Sequence, residues 1–430
     1  MMKEINEILE LLNPWWKDGS VSRDLARPYK RRVFNRLLKL VDYRQIIILS
    51  GLRRVGKTTL LYQIIENLLK SSDPKHVLYF NLDKSAKDLK EILNAYEELV
   101  GVNWKKERIF VLIDEIAKLD SWGRKTKLIY DAFPNIKLIV SSSSSIGLEE
   151  EAVKNLAGRY FLTNIKPLSF VEFLELKERG ELLKNPKLWE REIKREFDSY
   201  LLRNLPEIIT WDDELLIKDY LRTMIIDKVV KQDIPERFRN VDRDLLLNLL
   251  SIFYSEPGIY LDYDSTSKKL RISKKTLIQH ISYLEFSYLL RKIKNFRIST
   301  STVSRKMQRL YPYWWTLAYC YGDNYNKIME NVVASSIDAK HYWRKNGKEI
   351  DFLVIDGKNI LPIEVKNKKQ LTKNDMKNMK YFLEKYRMEE GIIIYDGEES
   401  EEKFTNRRQG NQGFSARIRH IPLWKWLLEA

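Results

Sequence analysis

The chain holds a single cysteine, Cys320, and four histidines in 430 residues. One thiol excludes an internal disulfide and any cysteine-built zinc cage, and it makes a reducing cytosol the expected compartment. Long apolar runs are missing as well: no stretch approaches the roughly 18 residues of a membrane-spanning helix. The opening MMKEINEILELLNPWW sets Glu into an amphipathic helical pattern without the basic and apolar regions of a secretory signal, so none is expected. No internal repeat is visible, and SSSSS at 141–145 is the one five-residue homopolymer.

Charge, by contrast, is plentiful and unbalanced. Lys and Arg number 76 against 60 Asp and Glu, a formal net charge of +16. Such an excess attracts polyanions, and a heat-adapted Lys- and Glu-rich surface would account for part of it. Hydrophobic residues make up 44% of the chain, enough to bury a core, which excludes a wholly disordered protein. At 430 residues the chain exceeds one compact core and predicts two or three domains.

Apolar patterning sets the organisation. A helical, basic segment covers 1–40. Five strands follow at 45–50, 77–82, 109–113, 137–141 and 160–165, alternating with helices at 58–70, 86–100 and 124–132. QIIILS at 45–50 is continuously apolar, as in a strand buried on both faces of a parallel sheet. The alternation predicts an open parallel α/β core over 41–167. Helices dominate 168–310, at 169–177, 189–203, 214–231 and 243–254. A second α/β unit is expected over 311–430.

Residues Gly51-Leu52-Arg53-Arg54-Val55-Gly56-Lys57-Thr58 fit G-x-x-x-x-G-K-[ST] between a buried strand and an amphipathic helix. Gly51 and Gly56 let the backbone curl so that its N–H groups, including those of Arg54 and Val55, face phosphates. The helix N-terminus at Lys57, Thr58 and Thr59 adds its dipole. Lys57 is expected on the β and γ phosphates and Thr58 on Mg2+. Downstream, FVLIDE ends a strand in Asp114, expected to hold Mg2+, and Glu115, expected as general base. Ser141, Ser142 or Ser143 would end the next strand near the γ-phosphate.

These motifs, with VLYFNLD, LAGRY and KPLSFVEF in the same order, resemble archaeal and bacterial AAA-type ATPases that carry an uncharacterised C-terminal domain. The resemblance implies ATP as substrate and a homo-oligomer, a hexamer in many such assemblies. It also implies a γ-phosphate-sensing role for Arg159, in its own subunit or a neighbour's.

Two later features point to nucleic acid. Ser273 starts a helix with Leu277, Ile281 and Leu284 on one face, followed by a basic stretch with Arg291, Lys292, Lys294, Arg297, Arg305, Lys306 and Arg309. Helix plus basic strand pair resembles a winged helix, with Lys274, Lys275 and Gln279 as the expected DNA contacts. Further on, Glu330 lies in a helix over 324–339, and strands follow at 341–345, 349–355 and 360–366. Alternation puts Glu364 and Lys366 on one face, and Asp351 can join them from the paired strand. This order resembles the PD-(D/E)xK nuclease core, without the proline before Asp351. The resemblance implies a restriction-endonuclease-like domain in which Glu330, Asp351 and Glu364 would hold Mg2+ and Lys366 would orient water.

The reading that results is a cytoplasmic Mg2+-dependent ATPase that binds and remodels duplex or branched DNA, with a nuclease centre at the C-terminal end. The alternative is a nucleotide-dependent switch whose nuclease-like domain is an inactive scaffold. A small-molecule kinase is disfavoured by the charge and by the Asp-Glu pair.

Overall fold

The computed structural model describes residues 2–84, 88–143, 148–297, 302–303, 307–322, 325–357, 359–406 and 414–429. The chain forms two compact units, one of residues 1–168 with 205–207 and the other of 169–204 with 208–430.

In the first unit, strands β1 (Ile46–Ser50), β2 (Val77–Asn81), β3 (Ile109–Asp114), β4 (Ile136–Ser142) and β5 (Tyr160–Asn164) form a parallel sheet in the order β2-β3-β4-β1-β5. The expected five strands and their parallel sense are present. β1 is buried along its whole length because both faces carry helices. Ile46, Ile48, Phe80, Val111, Ile113, Leu138 and Val140 share one core with Ile92, Leu93 and Tyr96 of helix Leu89–Val100. The Asp88 carboxylate caps that helix and Gly101, at φ +77°, ends it. Residues 86–87 of the expected helix lie outside the described residues.

A helix over Leu148–Leu156 was not anticipated. Its three consecutive glutamates hide the apolar period, which survives as buried Ala152 and Leu156.

The N-terminal segment belongs to this sheet. Ile5 and Leu9 of helix Met2–Leu12 enter the core. Asn13 then brackets Tyr79 on edge strand β2, donating to its carbonyl at 2.9 Å and accepting its N–H at 2.7 Å. The indoles of Trp15 and Trp16 both donate to the Val77 carbonyl at 2.9 Å. Side chains thus satisfy the edge that a sixth strand would otherwise pair.

The second unit opens with helices. Phe170–Leu176 carries a full capping box between Ser169 and Glu172. The expected helix over 214–231 is α-helical only over Glu214–Tyr220 and continues in π turns over Leu221–Asp227 and Val229–Asp233. Ile217, Tyr220, Leu221, Ile225, Ile226, Val229 and Val230 are buried along it.

Ten strands then share one sheet: β6 (Ile259–Leu261), β7 (Leu290–Arg297), β8 (Thr302–Val303), β9 (Gln308–Pro312), β10 (His341–Lys345), β11 (Lys348–Asp356), β12 (Asn359–Lys366), β13 (Glu390–Tyr395), β14 (Ser400–Asn406) and β15 (Phe414–Pro422). The order is β14-β15-β13-β12-β11-β10-β7-β9-β6, with β8 on β7. β10 runs parallel to β7, His341 opposite Lys294, so the boundary expected near residue 310 falls within β9 inside a continuous sheet. The hairpin β10–β11 turns on Asn346 and Gly347, both at positive φ, as the Asn-Gly pair predicts. Trp343, Ile350, Leu353 and Ile393 pack with Met379, Phe382 and Leu383 of helix Lys377–Tyr386.

Ile48 is fully buried in central strand β1. Ile48→Ala is expected to destabilise the first unit by about 2–5 kcal/mol, read as a lower denaturant midpoint at unchanged slope.

Candidate nucleotide site

The loop between β1 and helix Lys57–Leu68 has the curl its sequence predicts. Gly51 sits at φ +148°, and a Cβ there would lie 2.2 Å from the Ile165 carbonyl oxygen, so no other residue fits. Gly56, at φ +93°, starts the helix. Lys57 is buried, its Nζ donating to the Gly51 and Leu52 carbonyls at 2.9 Å each, so the ammonium lies inside the curl.

Parallel pairing brings the acids to the same end of the sheet. Asp114, 1% exposed, ends β3, which lies between β2 and β4. Its Oδ2 accepts from Thr58 Oγ1 at 2.7 Å and from the Tyr79 hydroxyl at 3.2 Å, and its Oδ1 accepts from Ser141 Oγ. Glu115 follows in the left-handed conformation, φ +55°. Its Oε2 accepts from both the N–H and the hydroxyl of Ser143 at 3.0 Å. Two serines at the end of β4 therefore hold one acid each, where a phosphate contact was expected of them. Burial, opposed by Lys57 and aided by the Asp114 charge, holds the Glu115 carboxyl above its ordinary range.

A strap that the sequence did not reveal secures the loop. Arg31 donates to the carbonyls of Val55, Lys166 and Pro167, and Gln63 donates to those of Arg27 and Tyr29. The basic cluster at 23–36 carried the signal only as charge. Arg54, at φ +67°, pairs with Glu207 at 3.1 Å and is exposed. Thr59 occupies the first helical turn.

Arg159 stands elsewhere. It precedes β5 at the N-terminal end of the parallel sheet, opposite the loop, and binds Asp131 at 2.8 Å. It therefore does not meet the loop of its own subunit. The resemblance left open its own subunit or a neighbour's; the strand direction separates Arg159 from its own loop by the strand's length, roughly 15 Å.

In the second unit, Ser273 caps helix Lys274–Phe286, and Leu277, Ile281 and Leu284 are buried as the period requires. Lys275 and Gln279 are exposed, while Lys274 pairs with Asp264 at 2.8 Å. The basic strand pair departs from expectation: Arg291 is buried against Asp338, Lys292 binds Glu285, and Arg309 is buried among acids. A cation inside a sheet needs a partner there, so these three do not track a phosphate chain. Arg305 and Lys306 lie outside the described residues.

Glu364 and Lys366 do share a face, with Nζ and Oε1 2.5 Å apart. Asp351 turns its Oδ2 to the Val365 N–H at 2.9 Å. Burial raises the Glu364 carboxyl to about 7, and burial beside Asp351 raises Glu330. Glu330, however, binds Arg309 and Tyr311. Among the described residues no three His, Cys, Asp or Glu side chains converge to hold a metal ion, so the expected Mg2+ cage is not formed by this acid set.

A family model described as an AAA domain matches residues 43–174. Domains of unknown function, DUF8612 and DUF4143, match 193–313 and 325–412 and name neither a fold nor an activity. The uncharacterised protein MJ1637 of Methanocaldococcus jannaschii is 30% identical over 83% of this chain and 81% of its own length. MJ1544 of the same organism is 25% identical over 93% and 92%. The Walker-type ATPase PABY2304 of Pyrococcus abyssi superposes with a TM-score of 0.42 at 17% identity, over 68% of this chain and 95% of that one. The loop, the acids and the AAA-domain match together make the first unit a P-loop ATPase core.

Glu115→Gln is expected to bind ATP but to lose about 10²–10⁴-fold in hydrolysis. Because the base must be ionised, turnover should fall as pH drops through a folded pKa above the ordinary 4.5, a displaced acid limb in the profile of kcat against pH. Tyr79→Phe should reduce kcat about fivefold, the effect of one neutral hydrogen bond.

Proposed function

Since the chain belongs to the same family as the uncharacterised protein MJ1637 of Methanocaldococcus jannaschii and its residues 43–174 match an AAA domain, we propose that it is a magnesium-dependent ATP hydrolase whose turnover remodels DNA. The observation that carries the chemistry is the convergence of Lys57, Thr58, Asp114 and Glu115 at one end of the sheet. The Thr58 hydroxyl and the Asp114 carboxylate, 2.7 Å apart, are hard oxygen donors of the kind Mg2+ takes. Magnesium held there would offset phosphate charge. Lys57 and the loop N–H groups would bind the β and γ phosphates, and Thr59 and Val55 would line the same turn. Glu115 would take the proton of a water that attacks the γ-phosphorus as the bond to the β–γ bridging oxygen breaks.

Support for DNA as the partner is the +16 net charge and the exposed Lys275 and Gln279 on a helix resembling a recognition helix. In this reading the protein works in the cytosol as a homo-oligomer, six subunits by analogy with AAA assemblies. Arg159, remote from its own loop, would then serve a neighbour's γ-phosphate.

A second reading, a nucleotide-dependent switch with an inactive nuclease-like scaffold, is favoured by Arg309, which fills the acid cluster. Under it Glu364→Ala leaves every activity intact and ATP shifts the oligomeric state, seen by light scattering.

The remodelling reading predicts that duplex or branched DNA raises ATP turnover, with binding that weakens steeply as salt increases. Lys275→Ala should reduce the salt slope by about one contact. Saturating DNA that leaves turnover unchanged would count against the reading.

A further inference from the structure

Arg309, on β9, is 6% exposed and lies where the acids of the C-terminal sheet converge. Its Nη2 donates to Glu330 Oε1 at 2.5 Å and its Nε to the Gly258 carbonyl at 3.1 Å. Its Nη1 lies 3.3 Å from Glu349 Oε1 and 3.5 Å from Asp351 Oδ1. The rings of Tyr260, Tyr311 and Tyr342 surround the guanidinium with centroids at 5.6, 5.2 and 5.9 Å. Two of the tyrosines complete the carboxylates: Tyr311 donates to Glu330 at 2.6 Å and Tyr260 to Glu349 at 2.5 Å.

The backbone is shaped around this group. Gly258 sits at φ +85°, and a Cβ there would come within 2.9 Å of Arg309 Nη2 and 3.0 Å of the Tyr311 ring. A glycine is needed where a cation and a ring press against the main chain. Arg309 comes from the region matched by one family model and the acids from that matched by another, so the contact spans both.

Two of these acids, Glu330 and Asp351, are those that the nuclease resemblance assigns to a divalent metal. A magnesium ion needs oxygens at about 2.0–2.1 Å around a common centre. Here the oxygens are spaced around a planar cation that fills that centre, stays charged at any working pH and is weakly hydrated. The acids as arranged therefore do not fit a metal. We propose that Arg309 is the resident cation of this cluster, standing between two of the three acids that a nuclease would use for its metal while the third, Glu364, is taken by Lys366, and that the centre holds no divalent ion and cuts no phosphodiester. This inference does not depend on the ATPase site and survives if DNA proves not to stimulate turnover.

The test uses the full-length chain, freed of nucleotide and treated with chelator, with Mn2+ binding followed by electron paramagnetic resonance. Wild type and Asp351→Asn are expected to bind the same number of ions, and neither should nick supercoiled plasmid in Mn2+. Folded Arg309→Ala is expected to gain one Mn2+ per chain, which Arg309→Ala combined with Asp351→Asn loses again. One ion per chain bound by wild type and lost in Asp351→Asn would overturn the proposal, as would plasmid nicking abolished by that substitution. A folded Arg309→Ala that gains no ion would overturn it too. Should Arg309→Ala fail to fold by circular dichroism, the comparison of wild type with Asp351→Asn decides alone.

Discussion

The carboxylate of Asp114 ties the nucleotide site together. It ends β3 and accepts hydroxyls from helix Lys57–Leu68, from β2 and from β4. Three elements that share little sequence proximity are thereby fixed relative to one buried group. The donors are neutral, so they orient the carboxylate without cancelling its charge, and the buried acid keeps its negative field. Glu115 is treated likewise, since Ser143 holds it through two neutral donors. Hydroxyls therefore set the geometry here, and the formal charges are left for the ligand.

Much of this was legible in the sequence. The glycines, lysine and threonine of the loop have fixed spacing because the backbone must curl within six residues, and buried strands on either side identify it. The acids at 114 and 115 followed from a strand that runs apolar and then stops. Tyr79 was not legible, and Ser143 was legible only as a residue near the γ-phosphate rather than as the partner of Glu115, because which strand neighbours which depends on sheet order. In hindsight Tyr79 carries a weak signal: it lies two residues before the end of β2, opposite Leu112 in a parallel register, so it shares a face with Asp114.

Net charge was the least transferable guide, and the reason is burial. Lys137 on β4 is wholly buried, with its Nζ donating to the carbonyls of Leu40, Tyr43 and Gln45. Burial pushes its pKa down to about 7 while the three carbonyls favour the ammonium form. Arg291 pairs with Asp338 beneath the Tyr313 ring, and Arg309 is enclosed by acids and tyrosines. A composition count treats these as surface charge available to a polyanion. The fold uses them to satisfy its own carbonyls and carboxylates, so basic stretches in strands overstate the free positive surface more than basic stretches at helix starts do.

The two acid centres differ in one respect that outweighs their likeness. At Asp114 and Glu115 the hydrogen-bond donors are hydroxyls and an N–H, all neutral, and the opposing charge nearby is the Lys57 ammonium. At Glu330, Glu349 and Asp351 the fixed partner is a guanidinium, which neutralises part of the charge and occupies the volume between the oxygens. Removing a partner from a buried ion cluster exposes uncompensated charge, so such a cation is not readily given up. The alternation of side chains on β11 and β12 brings Asp351 to the strand end that carries Glu364 and Lys366, yet alternation is silent about a third strand. β9 approaches from a different part of the chain and supplies the residue that decides what those acids can hold.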